Sequence, residues 1–101
     1  MMVVGVIRVD VRLFAIHSLK QKRSQVSRLL NRLRSKFPIS VAEVGHLDLL
    51  QRSILGATMV AGKEAIVQSV FKNLEDELYS SGIVEIIDLD IEILHYGEEG
   101  R

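Results

Sequence analysis

The sequence predicts a single α+β domain with element order βαββαβ. The expected sheet has four antiparallel strands in the order 4-1-3-2, with both helices on one face. Three observations carry this. Two segments, 18–37 and 63–80, place apolar residues at helical spacing. Four segments are short and apolar, two of them strictly alternating. The charges of the first and last strands are opposite, as neighbours in such a sheet require.

Val3 to Phe14 is read as the first strand. Ile7, Val9, Val11 and Leu13 alternate with Arg8, Asp10 and Arg12, so one face is apolar and the other charged. Ser18 opens the first helix. Ser18 and Gln21 stand three apart, the spacing of a capping box. Val26, Leu29, Leu30, Leu33 and Phe37 form the core stripe, and Pro38 stops the helix, because its ring disfavours helical geometry in the residue before it.

Ile39 to His46 is the second strand, and Leu47 to Arg52 a connection. Ser53 to Ala61 is the third strand, with Gly56 and Ala57 at its centre. A glycine there marks a bulge or a close backbone approach. The second helix, 63–80, is striped by Ile66, Val67, Val70, Phe71, Leu74 and Leu78, and Gly82 is placed for a left-handed cap. In the fourth strand, Ile83 to Leu94, Ile87, Leu89, Ile91 and Ile93 alternate with Asp88, Asp90 and Glu92. Ile7, Val9, Val11, Leu13, Ile87, Leu89 and Ile91 should face the helices. Val4, Val6 and Val84 should fall on the charged face. The domain is expected over residues 1–96, with a flexible tail at 97–101.

Packed as a ferredoxin-like fold, the first and fourth strands are neighbours. Arg8 and Arg12 then meet Asp88, Asp90 and Glu92, each pair contributing roughly 0.2–1 kcal/mol.

Composition narrows the function classes. The chain has 101 residues, 48% hydrophobic and 26% charged, and no cysteine. Disulfide frameworks and thiolate metal sites are excluded, and a cytoplasmic location is expected. No apolar run approaches a membrane span, and the short apolar start meets Arg8 without a leading basic region, unlike a signal peptide. The 13 Lys and Arg balance 13 Asp and Glu, but residues 1–42 carry nine bases against Asp10 alone. Such asymmetry points to a basic binding face or to pairing between the halves.

Seven of those cations lie on the first helix, with no acid among them: Lys20, Lys22, Arg23, Arg28, Arg32, Arg34 and Lys36. Lys20, Lys22 and Arg23 stand where a helix N-terminus prefers acids, so together with free backbone N–H groups they form a candidate anion site. Arg28 and Arg32 point away from the stripe. Arg23 and Arg34 flank it on one side and Lys36 on the other. That face suits a nucleic-acid backbone. For the first turn, the alternatives are a helix that starts nearer Ser24, leaving the lysines on a loop, or acids from elsewhere that neutralise the cations; for the outward face, the alternative is an ordinary solvated helix face.

The sheet itself is a poor RNA platform, because its central strands offer no aromatics for base stacking. Glu43, His46 and Asp48 group potential ligands, but Glu43 and His46 fall on opposite strand faces, so hydrogen bonding and pairing with Arg52 are the expected roles. No glycine-rich phosphate loop, Walker motif or cysteine nucleophile is present, and no cofactor is implied.

Several segments in order resemble one family: Ser18-Leu19-Lys20 with Lys22-Arg23, Arg32-Leu33-Arg34 with Phe37, Ser40-Val41-Ala42-Glu43-Val44, and Asp48 with Gln51-Arg52. The chain resembles the YlxP-like family of small bacterial proteins, from residue 2 to about 94. Gln21 stands where that family usually has an acid, and an aromatic common near Leu50 is missing. The resemblance implies a ferredoxin-like fold in a bacterial cytosolic protein, often encoded near ribosome-maturation and translation factors. It supplies no catalytic residue.

The expectation is a non-enzymatic module associated with ribosomal or other structured RNA through the basic helix. The alternative is a homo-oligomeric interaction module without nucleic-acid binding. The motive for that alternative is the fourth strand at a sheet edge, and a homodimer is expected because a small chain this hydrophobic has apolar surface to spare and Val4, Val6 and Val84 fall on the charged face.

Overall fold

A computed structural model describes residues 1–97; of the tail expected at 97–101, residues 98–101 lie outside the described residues. The order is β1 (Met2–Leu13), α1 (Leu19–Lys36), β2 (Ser40–Gly45), β3 (Arg52–Ala61), α2 (Glu64–Ser80) and β4 (Val84–Tyr96). The sheet order is β2-β3-β1-β4, antiparallel throughout, which is the ferredoxin-like α+β arrangement.

The core lies between the sheet and the helices. Ile7, Val9, Val11 and Leu13 of β1 meet Val26, Leu29 and Leu33 of α1 and Val67, Phe71, Leu74 and Leu78 of α2. Gly5 lets α2 come close to β1: a Cβ there would collide with Val67 and would stand 2.8 Å from the Phe71 ring. Gly82 takes the left-handed conformation (φ 71°) just past α2, as its place in the sequence predicts.

β4 departs from strict alternation. Asp10 pairs with Asp88, but Val11 pairs with Ile86, so Ile87 is an extra residue in a bulge. The bulge shifts the register below it. Val84 is therefore buried opposite Leu13 instead of lying on the charged face, and Ile87 is exposed instead of facing the helices. Leu89 is half-buried against the core. Ile91 pairs with Ile7 but remains 47% exposed, because β4 is the sheet edge. A second bulge makes Val44 the extra residue in β2, and Val44 lies over Gly56 of β3.

The shifted register also changes one ion pair. Arg8 bonds Asp90 at 2.6 Å and approaches Asp88 at 3.6 Å, as expected. Arg12 instead meets Glu85, its register partner. Asp10 takes Arg52 through two hydrogen bonds, so Arg52 is not paired with the Glu43–Asp48 segment.

Candidate functional site

α1 begins at Leu19, not near Ser24. Its start is fixed by a reciprocal cap. Ser18 Oγ accepts from the Gln21 backbone N–H at 3.1 Å, and Gln21 Oε1 accepts from the His17 N–H at 2.8 Å. Lys20 and Arg23 thus stand on the first turns of a real helix, where no acid offsets the positive end of its dipole.

Lys22 departs from the expected anion site. Its position on the first turn groups it with the anion-binding cations, yet its side chain is 1% exposed. It lies four residues before Val26, seven before Leu29 and eleven before Leu33, which puts it in the core stripe. Its ammonium donates to the His46 and Leu47 carbonyls and pairs with Glu43 at 3.1 Å. Glu43 in turn accepts from Ser53 Oγ at 2.7 Å. A lysine is buried only when paired and hydrogen-bonded, and all its nearby partners belong to the β2–β3 region. His46 holds a left-handed backbone (φ 56°), and its carbonyl also accepts from the Leu49 N–H. Lys22 therefore pins the turn after β2 to the start of α1 and is not available to a ligand. Glu43 is used by this contact, and no metal-binding group of three or more His, Cys, Asp or Glu occurs among the described residues.

The other six cations are exposed, in three settings. Arg34 donates to Asn31 and to the Val41 carbonyl of edge strand β2, at 2.8 Å for the latter. Arg32 and Lys36 converge on Glu77 of α2, at 2.9 and 2.7 Å. Glu77 is 12% exposed, and the Lys36 hydrogen bond, with Arg32 nearby, holds its carboxyl below the ordinary value despite desolvation. Lys20, Arg23 and Arg28 have no acidic partner within 4 Å among the described residues. Lys20 and Arg28 stand on the outward face, where they line a shallow depression of about 490 Å³ with Ser18, Gln21, Ser24 and Gln25. Hydroxyls and amides between two cations can donate to phosphate oxygens without adding negative charge.

No helix is long and apolar enough to cross a membrane. Among solved structures, the fold is similar to the de novo designed protein Foldit4, with TM-score 0.52 and 12% identity, over 96% of this chain and 100% of that one. It is also similar to a putative chlorite dismutase, with TM-score 0.53 and 10% identity, over 90% of this chain and 43% of that one. At such identities the likeness shows the fold alone. In sequence, 44 residues are 41% identical to the uncharacterized protein YlxP of Bacillus subtilis (strain 168), covering 44% of this chain and 48% of the relative, about half its length. Residues 4–91 match the family described as "Protein of unknown function (DUF503)", which spans nearly the whole domain, and the chain belongs to that family.

Proposed function

We propose that this protein is a non-enzymatic RNA-associated module, acting on ribosomal or other structured RNA in the cytoplasm. It grips the phosphate backbone with the outward face of α1. The observation that carries the reading is the set Lys20, Arg23 and Arg28, none of which has an acidic partner among the described residues. Arg32 and Lys36 extend the same positive strip with half-exposed side chains, although Glu77 offsets part of their charge. Contacts of this kind give affinity and orientation without reading sequence. The partner is then recognised by its backbone shape, as structured RNA often is.

The test is an equilibrium titration of ribosomal RNA fragments with the parent protein and with a Lys20→Glu/Arg28→Glu variant. Both side chains point away from the core, so the fold should survive. An acid at position 20 even suits the helix N-terminus, by about 0.3–1 kcal/mol. The expected result is much weaker binding with thermal stability unchanged or slightly raised. Equal affinity for both proteins would remove α1 as the binding surface.

A further inference from the structure

The open face of the sheet divides into two parts, and strand register shows which residues are contiguous. One row is Val60, Val4 and Leu94, and the next is Ser40, Thr58, Val6 and Glu92. Ala42, Gly56 and Arg8 follow, with Val44 lying over Gly56. The β2-β3-β1 side thus sets Val4, Val6, Val44 and Val60 beside Ser40 and Thr58, and carries no charge in these rows apart from Arg8, which is tied to Asp90. Val60 is 62% exposed and Val6 is exposed as well. The β4 side carries the acids Asp88, Asp90 and Glu92.

We propose that a second copy of this chain covers this face, forming a two-fold sandwich of two sheets. The pairing stands apart from the reading of α1, because both helices lie on the opposite side of the sheet. Area and charge select the occupant. β1 and β3 pair over Val3–Arg12 and Ala61–Arg52, so the four-stranded face measures roughly 600 Å² in plan, and more with side-chain relief. That approaches the ~800 Å² per partner of a stable interface.

Charge then fixes the axis. A two-fold axis across the strands would stack Asp88, Asp90 and Glu92 on their own copies. An axis along the strands sets β1 over β3 of the other chain, so that Val4 and Val6 meet the partner's Val60 and the partner's Thr58. It sets the β4 acids over uncharged Ser40 and Ala42 of the partner subunit. Edge-to-edge pairing along β4 is disfavoured for the same reason: it would bring those acids together. Asp10–Arg52 and Arg8–Asp90 are already paired within each chain, so they carry no unpaired charge into the contact.

Light scattering of the parent at high micromolar concentration should give twice the 11.4 kDa chain mass. Val60→Lys should give the single-chain mass with an unchanged circular dichroism melt, while Ile91→Lys, at the β4 edge, should stay paired. The natural chain has no cysteine, so a second measurement is clean. An equimolar mixture of Val4→Cys and Val60→Cys proteins, treated with a bifunctional thiol reagent that spans the ~10 Å between stacked sheets, should give a mixed cross-link between chains. A parent of single-chain mass overturns the proposal. So does a Val60→Lys variant that remains paired, an Ile91→Lys variant that separates, or a cysteine mixture that forms no mixed cross-link.

Discussion

Lys22 and Glu77 are the two charged residues whose roles depend most on burial. Lys22 could have been placed from sequence, since its spacing to Val26, Leu29 and Leu33 is that of a core residue. Its charge suggests the surface, and the acid that permits burial, Glu43, is 21 positions away on another element. Helical spacing is enough to locate the residue, although its charge argues the other way, and only tertiary structure supplies the partner. Glu43→Ala leaves the ammonium facing two carbonyls and should cost about 3 kcal/mol, at the lower end for a broken buried pair because Glu43 keeps 17% exposure. Lys22→Met, which keeps the stem and removes the charge, should cost less, as Glu43 retains Ser53. Urea denaturation of both variants checks the order. Glu77 predicts a pH effect. Its folded carboxyl lies below the ordinary 4.5, first because of the Lys36 hydrogen bond and then because of Arg32. The Glu77 contribution is therefore present above the unfolded value and is lost as pH falls through the lowered folded value. Glu77→Gln should flatten that part of the stability profile, measured by thermal melts between neutral and acid pH. A parallel loss in parent and variant would assign the acid sensitivity to other carboxylates.

Elements were legible wherever a period ran unbroken. Both helices begin and end within a residue or two of the positions set by Ser18, Pro38 and Gly82. β1 alternates cleanly along its inward face. β4 also reads as an alternating strand, but its period hides Ile87, because Ile86-Ile87 gives two equivalent apolar residues and no glycine marks the bulge. An unbroken period therefore puts Val84 and Ile87 on the wrong faces and Arg12 opposite the wrong acid. Gly5 was silent in sequence for a different reason: its need is set by how closely α2 approaches β1. Gly5→Ala should destabilise by roughly 1–3 kcal/mol through overpacking against Val67 and Phe71. Thermal unfolding checks this, and a neutral result would mean that α2 shifts freely on the sheet.

Across the whole molecule, the charge split between the two halves of the chain largely closes on itself. Arg8 and Arg12 of the basic half meet acids of β4, Arg32 and Lys36 meet Glu77, and Lys22 meets Glu43. The seven-cation helix shrinks to a smaller outward set, and which members remain was not legible from the helix alone. Their partners come from α2, β2 and the turn after it. What remains on α1 is positive and turned away from the sheet face proposed for self-association. The measurement that tests this most directly is the dependence of RNA affinity on salt. If Lys20, Arg23 and Arg28 neutralise phosphates, log affinity should fall with log salt by about 0.7–0.9 for each phosphate contacted. Lys20→Glu/Arg28→Glu should lose most of that slope, while Arg12→Ala, which removes only a sheet ion pair, should keep it. A parent slope near zero, or a slope unchanged by the α1 substitutions, would contradict the account.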